Sequence, residues 1–246
     1  MTMSALPEPV TEVVDVLAAI PGVVAVVLGG SHAVASNDSE SDWDLGAYYR
    51  GALDWTALAD FGEVHPPGSW GRLMNGGAWL KVAGHSVDVI LRDLDVVEHW
   101  HRRAQEGEFE VDPLLGYLAG IPTYTLSAEL ESCRVLHGSI PPAPYPSRLQ
   151  AAAPPWWRFR CSFSLDYARM HARRANAIGA IGQAAKAVME EAHAILCERG
   201  QWVCNEKRLT TMAGLAGVQT LFTQIPSDAQ SLVRWVDLVE ARMKVA

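Results

Sequence analysis

A chain of 246 residues with 49% hydrophobic and 20% charged residues has enough apolar content to bury one large core or two ordinary ones, which excludes a disordered or fibrous class. Its net charge of -8 argues against a broad electropositive surface for nucleic-acid backbones and suits a cationic small substrate better. No apolar run approaches the roughly 20 residues of a membrane-spanning helix, and the opening MTMSALPEPVTEVV lacks the basic-then-apolar order of a secretory signal, so a cytoplasmic location is expected.

In chain order, an amphipathic stretch from Val10 to Ile20, with Thr11 as its cap and Pro21-Gly22 as its stop, predicts a short helix. Three strand-like runs follow: Val23 to Leu28, Asp42 to Tyr49 with apolar and polar residues alternating, and Ser86 to Leu91. Helical patterns cover Leu53 to Phe61 and Leu94 to Ala104, the second opened or capped by Asp93 and Asp95. The proline-rich run from Pro141 to Pro146 is the candidate linker. Beyond it, Trp156 to Ala177, Ile181 to Arg199, Leu209 to Phe222 and Asp228 to Lys244 predict successive helices, with Gly200 as a C-cap signal and Pro226-Ser227-Asp228 as a start signal. The expected fold is α+β: a small mixed sheet with flanking helices over residues 1–140, a linker over 141–152, and an α-helical bundle over 153–246.

Chemistry concentrates in the first half. Gly29-Gly30-Ser31 ends the first apolar strand, Ser41-Asp42-Trp43-Asp44 opens the next after about ten residues, and Asp88 sits between Val87 and Val89 on a later one. Residues two apart in a strand face the same side, so Asp42 and Asp44 project together. Two carboxylates so close repel unless a cation lies between them, and magnesium is commonly shared by one or two carboxylates and substrate phosphates. Glycines at the strand end allow close backbone approach to a ligand, and Ser31 can begin a helix whose free N–H groups accept phosphate. Asp88 is placed to serve as a third metal ligand or as a base.

An apolar strand, Gly-Gly or Gly-Ser, a short helix, Asp-x-Asp and a distant third carboxylate resemble the signature of the DNA polymerase β-like nucleotidyltransferase superfamily, matched here by Gly30, Ser31, Asp42, Asp44 and Asp88 over roughly residues 20–95. A small catalytic domain followed by helices also looks like the bacterial aminoglycoside nucleotidyltransferases. The resemblance implies one or two magnesium ions held by Asp42, Asp44 and Asp88, with triphosphate contacts from Gly29, Gly30 and Ser31. It further implies a lysine for the triphosphate and a glutamate base from the helical half, for which Lys186, Glu190 and Glu191 are the candidates. Helical spacing puts Lys186 and Glu190 on one face, where an ordinary surface ion pair is the plainer reading.

The remaining features read as structural. The eight histidines form no ligand motif. Cys133, Cys161, Cys197 and Cys204 lack CxxC spacing and read as core or surface thiols. Asn205-Glu206-Lys207-Arg208 reads as a solvated helix start, and Trp156-Trp157 as packing between domains. The expectation is an enzyme that transfers a nucleoside monophosphate, from ATP in the first instance, to a hydroxyl of a small cationic acceptor such as an antibiotic, in a cleft between its domains. The alternatives are transfer to a protein or RNA acceptor, and a nucleotide-binding regulator without turnover.

Overall fold

The computed structural model describes residues 6–33 and 42–244; Ser41 of the Ser-Asp-Trp-Asp run lies outside them. The chain divides into two compact units, residues 1–102 with 126–144, and residues 103–125 with 145–246.

The first unit opens with α1 (Glu8–Ala19), which buries Val10, Val13, Val14 and Leu17, a stripe at i, i+3, i+4 and i+7. Its cap is Pro7 rather than Thr11, whose hydroxyl instead donates to the Pro7 carbonyl from inside the first turn. Then come β1 (Val23–Leu28), α2 (Gly30–Ala33) and β2 (Trp43–Tyr49). The helix expected over Leu53 to Phe61 shrinks to a 3₁₀ turn, Trp55–Leu58, capped by Asp54. Its remainder leads into β3 (Gly62–His65), followed by α3 (Gly71–Met74) and β4 (Gly76–Val82), strands the sequence reading missed. Next are β5 (His85–Asp93) and α4 (Leu94–Gln105), where the Asp93 carboxylate accepts from the Asp95 amide as the cap signal suggested.

The sheet order is β3-β4-β5-β2-β1-β8, where β8 (Arg134–Gly138) is a further missed edge strand. The β2–β5 pair is parallel and the remaining pairs are antiparallel, so the fold is α+β with a mixed sheet, as expected. One face carries Val26, Leu28, Leu45, Ala47, Ala78, Leu80, Val87, Val89 and Leu91 in a core closed by α1. The opposite face is polar at one end.

The second unit begins with β6 (Val111–Asp112) and β7 (Ile121–Pro122), a two-stranded ribbon. Returning to the first unit, α5 (Thr125–Ser132) precedes β8. The helical region comprises α6 (Ser147–Ala172), α7 (Ala177–Glu198), α8 (Leu209–Ala213), a 3₁₀ segment Ala216–Thr223, and α9 (Ala229–Met243). Helix α6 starts nine residues before Trp156, inside the expected linker, and runs through Pro154 and Pro155. Buried Leu149, Ala153 and Trp157 at i, i+4 and i+8 explain why: one apolar stripe continues across the prolines. The single helix expected over Leu209 to Phe222 breaks at Gly214, which takes φ +86° as a left-handed cap. Asp228 caps α9 through the Ser231 amide, as its position suggested.

The single cut expected at the linker is thus replaced by an interleaved one, because Phe109, Val111 and Tyr124 pack with Leu149, Ala153 and Trp157. Trp156 and Trp157 accordingly pack within the second unit, where Trp157 Nε1 donates to Tyr124 Oη at 3.0 Å and Trp156 meets Phe109 edge-on. Glu206 also departs from its solvated reading. It is nearly buried, and its carboxylate accepts from the Leu118 and Ala119 amides at 2.7 and 2.8 Å. Glu206→Gln keeps one acceptor and turns an NH2 towards the other amide, so urea unfolding should show a loss of about 2 kcal/mol.

His193 is buried, stacked on Trp157 at 4.4 Å, and its Nε2 has no hydrogen-bond partner among the described residues. Burial pushes its pKa down to about 3. Because the unfolded chain binds a proton below about pH 6.5 that the native imidazole refuses, the stability this group contributes is present above that pH. It is lost as pH falls towards 3, at about 1.4 kcal/mol per pH unit at most. Glu190 and Glu191, whose pKa values burial raises, act in the opposite sense. His193→Phe retains the ring stack and removes the proton site, so its stability should fall less steeply than the wild type's between pH 6.5 and 4 when both are unfolded in urea.

Candidate active site

The polar end of the sheet is built where β1 finishes and β2 and β5 begin. Leu28 pairs with Leu45, so the chain leaving β1 turns at Gly29 and Gly30 beside Asp44, and the Gly29 amide donates to the Asp44 carbonyl at 2.8 Å. Gly30 has φ +61°, and a Cβ placed on it would overlap the Asp44 carboxylate, with Cγ 2.6 Å away. Only glycine lets the backbone and this carboxylate approach so closely. Ser31 and His32 follow on α2, and the His32 ring stacks on Trp43 at 3.9 Å, fixing the turn to the start of β2.

Parallel register pairs Asp44 with Asp88 on adjacent central strands, and paired residues share a face. Asp42 lies two residues before Asp44, exposed at the entry to β2. The structure therefore brings Asp44, Asp88, Gly29 and Gly30 together, with Asp42 next in line. Among the described residues no three His, Cys, Asp or Glu side chains close into a metal-binding group. A pair of carboxylates with a glycine turn beside it nevertheless fits a hard divalent cation whose other ligands come from phosphate and water.

The same row continues outward. Asp88 pairs with Trp79 on β4, and Trp79 pairs with Glu63 on β3, so Asp44, Asp88, Trp79 and Glu63 form one line across four strands. Trp79 is 51% exposed. His65 meets its edge at 4.5 Å, and Trp70 stacks on it at 5.5 Å. Sequence reasoning missed these residues. The alternation of Trp79-Leu80-Lys81-Val82 was a signal for the strand, but Gly76-Gly77 before it and the short β3 concealed the pattern.

Lys186, Glu190 and Glu191 belong to the second unit and lie on α7. Lys186 Nζ is 4.0 Å from Glu190 Oε1, but Glu190 is only 1% exposed and is not part of a surface pair. Its carboxylate accepts from Ser164 Oγ at 2.7 Å and from Arg160 Nε at 3.2 Å. Burial raises its pKa against the opposing pull of Ser164, Arg160 and Lys186. Glu191 pairs with Arg158 at 3.3 Å, and burial raises its pKa also.

No protein-family model and no curated protein matches the chain. Among solved structures, it is similar to a nucleotidyltransferase-like protein from Exiguobacterium sibiricum 255-15, at 12% identity and a TM-score of 0.47, over 97% of this chain and 74% of that one.

Proposed function

We propose that the chain is a magnesium-dependent nucleotidyltransferase that moves a nucleoside monophosphate from a nucleoside triphosphate, ATP in the first instance, to a hydroxyl of a small cationic acceptor. The observation that carries this reading is the in-register pair Asp44 and Asp88 beside a glycine whose missing Cβ makes room for the Asp44 carboxylate. Asp44 and Asp88, with Asp42 upstream, would hold the cation. When bound, magnesium would offset the charge of the triphosphate and of the transferring phosphoryl group.

Within this reading the Gly29-Gly30-Ser31 turn receives the β- and γ-phosphates through backbone amides and the Ser31 hydroxyl. The acceptor oxygen attacks the α-phosphorus, the bond from that phosphorus to the bridging oxygen breaks, and pyrophosphate leaves with the bonding pair. Attacking and leaving oxygens lie roughly in line, so with the leaving group on the glycine side the acceptor enters from the β5–β4 side. Asp88 is then the nearest carboxylate for the hydroxyl proton. Glu190, Glu191 and Lys186 lie on the second unit, where Glu190 is held by Ser164, Arg160 and Lys186 and Glu191 by Arg158, so the proposed base is Asp88.

The test is an acceptor screen with α-labelled ATP, GTP, CTP and UTP in the presence of magnesium. Label on a hydroxylated amine, with pyrophosphate released, supports the proposal. Label on a co-purifying protein instead moves the acceptor to a macromolecule, and tight nucleotide binding with no label on any acceptor makes the chain a regulator.

A further inference from the structure

Helix α6 carries a second apolar stripe that the core of its own unit does not use. Trp157, Cys161, Leu165 and Ala168 are buried, whereas the helical turn of about 100° per residue puts Trp156, Phe159, Phe163, Tyr167 and Met170 on the face turned away from them. Trp156, Phe159, Phe163 and Tyr167 are 36%, 70%, 55% and 43% exposed. Phe159 stands 6.4 Å from Phe163, and Phe163 4.9 Å from Tyr167, so the rings form a ladder. Together the four leave as much surface open as two whole aromatic side chains, roughly 400 Å² at about 200 Å² each. That is about half of the ~800 Å² that each partner contributes to a stable interface of standard size.

Two features say what covers the stripe. Its residues are spaced by 3, 4, 4 and 3 positions, which reads the same in both directions about Phe163. A two-fold axis at Phe163 would therefore set Phe163 on its own copy, Phe159 on Tyr167 and Trp156 on Met170, the self-complementary pattern of an isologous dimer. The two ends of the stripe also differ in charge. Beyond Met170 stand Arg173 and Arg174, neither with a carboxylate partner among the described residues; Arg174 donates to the Met170 carbonyl at 3.2 Å. At the other end Phe109 meets Trp156 at 4.9 Å, and a Cβ on Gly107, between Glu106 and Glu108, would lie 3.3 Å from the Ala152 Cβ. Glu106 pairs with Arg148 and Glu108 with Arg103, and Glu110 adds a third carboxylate to the two arginines. The same axis sets Arg174 opposite Ala152, so the basic end of one copy meets the acidic end of the other. An anionic membrane surface fits the stripe less well, because the flanking Arg158, Arg160 and Arg169 are already paired with Glu198, Glu190 and Asp237. We propose that the chain forms a two-fold dimer in which the Trp156–Met170 faces of two α6 helices pack antiparallel, with Phe163 on the axis and Arg173 and Arg174 against the Glu106–Glu110 segment of the second copy.

Neither the pairing nor its test depends on the proposed reaction. Sedimentation of the full chain at about 10 μM should show a dimer. Phe163→Glu sets two carboxylates against each other on the axis and should raise the dissociation constant at least about a hundredfold. Arg174→Glu should raise it about tenfold, with the difference shrinking in about 1 M salt. Both side chains are exposed, so thermal melts of the variants, recorded at dilutions where the wild type is monomeric, should match the wild type's. Arg174→Glu carries the test if Phe163→Glu unfolds. A wild type that stays monomeric at about 100 μM overturns the proposal, and so does a dimer that Phe163→Glu leaves intact. A dimer lost in Phe163→Glu but indifferent to Arg174→Glu overturns the antiparallel arrangement and the proposal with it. A monomeric wild type that binds anionic vesicles through Phe163 makes the stripe a membrane face and likewise overturns it.

Discussion

Asp44→Asn is expected to abolish nucleotidyl transfer, by about three orders of magnitude or more, while changing the thermal melt little. Asp44 pairs in register with Asp88, and like charges directly opposite on neighbouring strands destabilise a sheet by a few tenths of a kcal/mol. Removing one charge eases that repulsion but also alters the other interactions these carboxylates make, so the two effects offset. The same substitution takes away an anionic oxygen from the cation site. Metal stabilisation of phosphoryl-transfer charge contributes several kcal/mol, and each 1.4 kcal/mol or so is tenfold in rate. The measurement is single-turnover transfer with α-labelled ATP, alongside calorimetry of ATP with magnesium and with chelator. Wild-type ATP affinity that is the same in magnesium and in chelator would remove the metal site from the proposal.

Gly30→Val should be the most damaging single change in the glycine turn, and Gly29→Ala beside it should be tolerated. At Gly30 two costs combine: φ is +61°, a region a β-branched residue enters only under strain, and any Cβ runs into the Asp44 carboxylate. The turn or the carboxylate must move, and a displacement of about 1 Å at a reacting centre costs on the order of a hundredfold in rate. At Gly29 an added Cβ meets the Asp44 carbonyl oxygen at 3.8 Å and the Asp44 Cβ at 4.0 Å, ordinary contacts. Assays of the two variants, with urea unfolding to separate lost rate from lost fold, check the contrast. A fully active Gly30→Val would show that the phosphates bind elsewhere.

Much of this architecture is legible in the order of residues. Val23–Leu28, Trp43–Tyr49 and His85–Asp93 are apolar or alternating runs long enough to declare themselves as strands, and the α-helices after the proline-rich run carry stripes at helical spacing. Asp-x-Asp and Gly-Gly-Ser stand out because their chemistry depends on neighbours a few residues apart, which is the range over which a chain displays its own geometry. By contrast, β3 and β8 are short edge strands and β4 opens with two glycines, so backbone pairing to neighbours distant in sequence, rather than local pattern, makes them strands. Register alone sets Asp88 against Asp44 and Trp79 against Asp88, joining residues from four strands into one row that no spacing in the sequence reveals. Burial likewise decided Glu190: its helical spacing from Lys186 fits a surface pair, and only the packing of α6 on α7 brings Ser164 and Arg160 to its carboxylate. Local periodicity thus determined the elements and the candidate carboxylates. Pairing and burial, which depend on contacts between distant parts of the chain, decided which of them lie side by side.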